Sequence, residues 1–340
     1  MKKTLTFGAM LALAITTVAC ADSSSDSAST TASADTEAPA ETTPPVVDPS
    51  LVDSSVVDSV VDSVVDTTPE TDSSGDAGSD DARPTKIISL SPTHTEILFA
   101  IGAADQVIAV DDQSNYPPAV ADLPNDLSGF EPNVEAIAAY EPDLVVIADD
   151  YNGLGDQLRA LGIPVWSGPA AISFDDMYTQ IEQLGEATGH IAEAGELVGN
   201  IETDLAAVVA SAPDLPAGVT YMHEVDSTLY AATSTTFIGQ VYALFGLTNI
   251  ADVSDDGSGF PQLSAEFVIA ENPDFIFLGD ALYGESPETV AARDGWASIT
   301  AVVNGGVVPV DADTSSRWGP RVVDFAQSIS DALALVTVGV

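Results

Sequence analysis

Bases are almost missing from this sequence. Eight lysines and arginines face 53 aspartates and glutamates, for a net charge of −45 in 340 residues. That balance excludes a nucleic-acid binder, which neutralises phosphates with clustered Lys and Arg. It also disfavours electrostatic adhesion to anionic lipid. The acids are spread along the whole chain, so solubility explains them more simply than attraction to a cationic partner. Cysteine occurs once, at Cys20, which rules out an internal disulfide and any multi-cysteine metal or cluster site. The three histidines, His94, His190 and His223, do not cluster, which argues against a bare-metal site. A Gly-rich phosphate loop, a G-x-S-x-G elbow and an H-E-x-x-H run are all missing. With no nucleophile–base pair to name, the expectation is a non-enzyme without cofactor or protein-held metal.

What is present begins with a secretion signal. Lys2 and Lys3 precede an almost wholly apolar run, Leu5 to Ala19, too short to span a bilayer. The run ends in Thr17-Val18-Ala19-Cys20, which resembles the lipobox of bacterial lipoproteins, with Thr17 where Leu is usual. The resemblance implies that residues 1–20 are a lipoprotein signal peptide and that Cys20 is lipidated. Residues 21–83 carry 15 acids, no aromatic residue and no base before Arg83. The V-V-D-S repeat within them joins β-branched Val to helix-competing Ser and Asp, so a disordered acidic tether is expected. Such a chain spans roughly 45 Å end to end, enough for an anchored domain to roam over its membrane.

Beyond the tether, one pattern occurs twice. From Glu135 the chain reads E-A-I-A-A-Y-E-P-D-L-V-V-I, and from Glu266 it reads E-F-V-I-A-E-N-P-D-F-I-F-L. Each copy predicts a short helix, a Pro-bearing turn and a buried parallel strand. Further strands are expected at Lys86–Leu90, Val107–Val110, Pro164–Trp166, Val219–Val225 and Val307–Val310, with helices between them. Thr93 and Glu96 have the spacing of a capping box at the first helix. A long helical stretch from Phe174 to Ala212 is interrupted at Gly189-His190, and its second part carries an apolar stripe from Ile191 to Val208. The fold class is therefore α/β: two Rossmann-like lobes with parallel sheets, residues 84–189 and 213–340, joined by one long backbone helix at 190–212, with a ligand cleft between the lobes.

In this order, several segments resemble the helical-backbone class of substrate-binding proteins for bacterial ABC importers, which carry vitamin B12, ferric siderophores or haem. They are Ile87 to Pro92 with Thr95-Glu96, Ser114 to Pro118, the two Glu-to-Pro-Asp units, Phe260 to Ser264 and Ser316 to Arg321. The resemblance covers residues 84–340. It implies an extracytoplasmic, lipid-anchored monomer that delivers a bulky metal chelate to a permease and its ATPase. A haem-binding protein of the same fold and a ligand-sensing surface lipoprotein uncoupled from transport are the alternatives.

The resemblance also assigns roles. Glu135 and Glu266, one per lobe, correspond to glutamates that dock onto permease arginines, although an acid in a first helical turn also offsets the helix dipole. Tyr116 in an Asn-Tyr-Pro-Pro loop and Phe260, where B12-binding relatives carry an aromatic, are expected to meet ligand. Phe130, Tyr151 and Tyr230 sit in loops after strands or before helices and are divided between cleft lining and ordinary packing. Arg317 and Trp318, before the last helix, offer a guanidinium for a ligand oxygen and a flat indole face. Arginines are so few that a neutral or cationic chelate suits the cleft better than a highly anionic one. Haem would need Tyr116 or His94 as axial ligand.

Overall fold

Backbone amides at a strand edge need partners, and four apolar runs in the first lobe satisfy one another. The computed structural model describes residues 83–336; the signal peptide, Cys20, nearly all of the tether and the last four residues lie outside the described residues. Strands β1 (Ile87–Leu90), β2 (Val107–Val110), β3 (Leu144–Ile147) and β4 (Val165–Ser167) form a wholly parallel sheet in the order β2-β1-β3-β4. Every residue of β1 and β3 is buried, as parallel strands covered on both faces require. Helices α1 (Pro92–Ala100), α2 (Val134–Ala139) and α3 (Leu154–Ala160) flank this sheet.

The long helical stretch is two helices, α4 (Phe174–Thr188) and α5 (Ile191–Ser211), and α5 is about 30 Å long at 21 residues. Gly189 ends α4 with φ of +76°, a left-handed conformation that favours glycine. Gly185 lets the two helices touch: a Cβ there would lie 2.4 Å from the Ala194 methyl.

The second sheet contains β5 (Thr220–Glu224), β6 (Ala231–Ala232), β7 (Thr248–Asn249), β8 (Phe275–Leu278) and β9 (Val307–Pro309). Its order is β6-β5-β8-β9, with β7 also on β5; only β6 runs antiparallel. Helices α6 (Phe237–Ala243), α7 (Ala265–Glu271), α8 (Pro287–Ala291), α9 (Thr300–Asn304), α10 (Ala312–Ser316) and α11 (Val322–Leu335) complete the chain. The sequence did not foretell β6 and β7, because two residues are too few to carry an alternating pattern.

Side chains alternate across each sheet and so feed different cores. Ile87 and Val146 of the first sheet and Tyr221, Phe275 and Phe277 of the second join one shared core with Ile181, Ile201, Leu205 and Phe325 of α4, α5 and α11. Ile88 and Val145 face α2 and α3 through Ile137 and Leu158. Met222 and Ile276 face Val268 and Trp296.

The duplicated Pro-Asp pair has a structural task. Asp143 accepts from the Thr85 amide at 2.8 Å, the Thr85 hydroxyl at 3.0 Å and the Lys86 amide at 2.8 Å. Asp274 accepts in the same way from the Thr220 amide and hydroxyl at 2.9 and 3.1 Å. Each aspartate therefore ties the start of its own strand to the start of the neighbouring one.

One expectation at α1 is corrected. Ser91 is the N-cap with Pro92 behind it, and no side chain caps the helix, so Thr93 and Glu96 form no capping box. Glu96 is instead buried and claimed by two arginines.

Candidate ligand-binding site

Carboxyl ends of parallel strands are where open α/β sheets hold ligands. At that edge of the first sheet lies a cavity of about 290 Å³. Its floor is Leu90 at the end of β1 with Ser91 after it, and Ile147 at the end of β3 with Ala148 and Asp149 after it. Phe130, Arg317 and Trp318 complete its wall, with Asp111 and Asp313 adding carboxylates. Three of the seven residues expected at the ligand are thus brought together.

Arg317 lines this cavity, but its guanidinium is already engaged. It donates to Glu96 at 2.7 Å, to Asn115 Oδ1 at 2.8 Å and to the Gln113 carbonyl at 3.4 Å, and it pairs with Asp313 at 2.8 Å. Arg321 donates to the same Glu96 at 2.8 and 2.6 Å. Both cations thereby brace the loop before α11 against α1. The expectation of Arg317 as a free ligand-binding cation gives way to this clamp, because a carboxylate only 3% exposed needs compensating charge.

Trp318 is oriented through Gln180. Gln180 Oε1 accepts from Trp318 Nε1 at 2.9 Å and meets His94 Nε2 at 2.9 Å. That acceptor puts the imidazole hydrogen on Nε2, so Nδ1 accepts from the Ser91 hydroxyl at 2.8 Å. Burial pushes the His94 pKa down to about 4, against a smaller opposing effect of Gln180, and the ring stays neutral. His94 is fully buried, which removes it as an axial haem ligand and as a mere ornament of a helix start. His223 is likewise a neutral core residue, hydrogen-bonded to the Tyr242 hydroxyl at 2.9 Å.

Tyr116 stands outside the cavity. The Arg321 guanidinium lies 4.3 Å from its ring centre, and the pair borders a separate depression with Phe99 and Pro320. Tyr230 and Phe260 come together in the second lobe. Tyr230 pairs with Gln262 across an antiparallel bridge, and the Ala231 amide donates to the Pro261 carbonyl at 3.0 Å. Both rings are about 40% exposed. Tyr151 opens the turn before α3, and its side chain lies outside the described residues.

The second lobe repeats the cavity floor in register but fills it differently. Leu90 pairs with Ile147 in the first sheet, and Glu224 pairs with Leu278 in the second. Glu224 thus stands where Leu90 does, and Asp280 where Asp149 does. Arg293 donates to Glu224 at 2.7 Å and to Glu285 at 2.8 Å, with its guanidinium 4.7 Å above the Trp296 ring. Asp280 is 2% exposed and neither carboxylate oxygen has a hydrogen-bond partner. Burial, with Glu224 adding to it, pushes its pKa up to about 6. Leu282 and Tyr283 follow, 78% and 84% exposed. Sequence reasoning passed over these three residues, although the repeat, run on past its apolar strand, aligns Asp280 with Asp149.

Glu135 and Glu266 both sit exposed in the first turn of their helices, after the N-caps Asn133 and Ser264. Among the described residues no helix is long and apolar enough to cross a membrane.

Two sheets with their carboxyl ends furnished in this way, around a shared helical layer, define a binding protein. The chain belongs to the periplasmic binding protein family, whose model matches residues 87–314. The ABC transporter substrate-binding lipoprotein YvrC of Bacillus subtilis (strain 168) is 31% identical over 258 residues, 74% of this chain and 80% of that protein. A cobalamin-binding protein of Halobacterium salinarum (strain ATCC 29341 / DSM 671 / R1) is 30% identical over 267 residues, 76% of this chain and 72% of that one. Among solved structures, a possible iron-binding periplasmic solute-binding protein from Staphylococcus epidermidis ATCC 12228 aligns with a TM-score of 0.65 at 28% identity. That alignment covers 74% of this chain and 98% of the other.

Proposed function

We propose that this chain is the extracytoplasmic substrate-binding lipoprotein of an ABC importer, that it captures a ferric siderophore or a cobalamin-like chelate, and that it hands the chelate to the permease. The observation that carries the reading is the cavity at the carboxyl edge of the first sheet, walled by Phe130 and Trp318. At about 290 Å³ it lies at the lower end of small-molecule pockets, so it receives one face of a bulky ligand and not the whole of it. Tyr230 and Phe260 supply exposed aromatic surface from the second lobe for another face. Haem fits less well, since His94 is buried and Tyr116 stacks against Arg321 at a separate depression outside the cavity. The protein acts by binding, without catalysis and without a resident cofactor, as a monomer held to the membrane by lipid on Cys20. Glu135 and Glu266 are the docking points for the permease, exposed at equivalent places in the repeat.

The test is to expose the purified protein to ferric hydroxamates, cobalamin and haem, and to read complexes by native mass spectrometry and absorbance. A one-to-one complex with a chelate is expected. Phe130→Ala and Phe260→Ala should each weaken it by about 1–3 kcal/mol, the cost of truncating a buried aromatic contact. Failure of every chelate to bind refutes the reading.

A further inference from the structure

The second lobe holds a carboxylate that the fold leaves unanswered. Asp280 follows β8 at the carboxyl edge of the second sheet, and its counterpart Asp149 lines the first-lobe cavity. It is 2% exposed, and both of its oxygens are without a hydrogen-bond donor. A buried carboxylate in that condition is costly unless something supplies hydrogen bonds or positive charge. The nearby protein groups do so too weakly: its own backbone amide and Arg293 favour the ionised form, and burial with the neighbouring acids outweighs them. Glu224 and Glu285 share its surroundings, and the single local cation, Arg293, is spent on those two glutamates. This corner therefore carries three acids against one base.

Four of the five other bases among the described residues are committed elsewhere. Arg317 and Arg321 serve Glu96, Lys86 pairs with Glu141, and Arg159 pairs with Asp156. A bare metal ion is not the missing partner: among the described residues no three His, Cys, Asp or Glu side chains are grouped to hold one. What fits two buried, unpartnered carboxylate oxygens is an N–H donor.

We propose that Asp280 is a ligand-facing acceptor in the second lobe, taking a protonated amine or an amide N–H on the periphery of the bound chelate. This rests on the chelate-binding reading above and narrows it: the ligand presents N–H groups and a neutral or positive rim to this lobe. Exposed Leu282 and Tyr283, two and three residues on, flank the acceptor with apolar surface.

Three probes test this in the wild-type protein and in Asp280→Asn. The first is a linear ferric trihydroxamate ending in a free ammonium, the second is the same chelate with that amine acetylated, and the third is cyanocobalamin, uncharged and rich in amides. If the group is an ammonium, the free-amine chelate binds wild type at least tenfold more tightly than its acetylated form, and Asp280→Asn abolishes the difference. If the group is an amide, cyanocobalamin binds wild type and loses at least tenfold in Asp280→Asn. The wild-type comparison of the two hydroxamates requires no variant, and an intact unfolding transition certifies the variant as folded. Equal affinities of wild type and variant for every probe that binds overturn the role of Asp280 while chelate binding stands. Binding of no probe at all overturns the chelate reading, and this inference with it.

Discussion

Asp280 also makes a prediction about the protein without ligand. Its carboxyl is pushed from an ordinary 3.8 up to about 6, first by burial and then by Glu224. The native state therefore binds a proton there more tightly than the unfolded chain does. Between those two values the folded form holds the extra proton, so stability falls as pH rises through the window. In full, the ionised form costs about 3 kcal/mol, at about 1.4 kcal/mol for each tenfold change in proton affinity. Between pH 5 and pH 8 the part that is lost is about 1.4 kcal/mol, because the unfolded carboxyl has already given up its proton by pH 5 and the rest of the loss falls below that pH. Asp280→Asn removes this titration and nearly keeps the shape. An uncompensated amide carries its own cost, but that cost does not change with pH. Urea unfolding of both proteins at pH 5, 6, 7 and 8 isolates the effect, since the other carboxylates are common to both. Wild-type stability should fall relative to Asp280→Asn by about 1.4 kcal/mol from pH 5 to pH 8. Parallel profiles would refute the reasoning and mean that Asp280 finds a partner in solution.

Two further outcomes follow from the same geometry. Glu96→Ala should destabilise the protein by about 3–5 kcal/mol in urea unfolding, because it strands the Arg317 and Arg321 guanidinium groups in a part-buried place; a loss below about 1 kcal/mol would mean that water already satisfies them. Reversing both docking carboxylates, Glu135→Arg with Glu266→Arg, should leave chelate affinity intact and depress uptake in whole cells, and normal uptake would return both glutamates to the role of offsetting helix dipoles.

The fold was legible in the sequence wherever a segment was long or repeated. Strands β3 and β8 read as unbroken apolar runs because both faces are buried, and Pro-Asp marked their starts. The task of that aspartate was not readable, since Thr85 and Thr220 lie more than fifty residues away from the side chains they meet. Candidate site residues were legible as residue types and less so as orientations. Phe130 and Trp318 reach the cavity, whereas Tyr116, equally aromatic and equally loop-borne, stacks against Arg321 at a separate depression. Arg317 misled for a physical reason: its partner Glu96 sits 221 positions away, and its spacing from Thr93 mimics a capping box. In a chain with so few bases, an arginine beside an aromatic is more readily claimed by one of the many acids than left for a ligand.

The two lobes show how one unit came to present two unlike surfaces. Both retain the strand clamp, which serves folding, and an exposed glutamate in the first turn of the helix before it. They differ at the carboxyl edge. In the first lobe Leu90 leaves room, and the space remains as a cavity with Phe130 and Trp318 around it. In the second, Glu224 replaces Leu90, draws in Arg293, and the guanidinium settles over Trp296. A buried pair of this kind contributes little net stability over an apolar pair of the same size. Its consequence is electrostatic: it engages the cation nearest Asp280, and that buried carboxylate keeps no hydrogen-bond partner and a raised pKa. The duplicated frame thus keeps one register in both lobes, while different residues at equivalent positions leave a cavity at one edge and a buried ion pair beside an unpartnered carboxylate at the other.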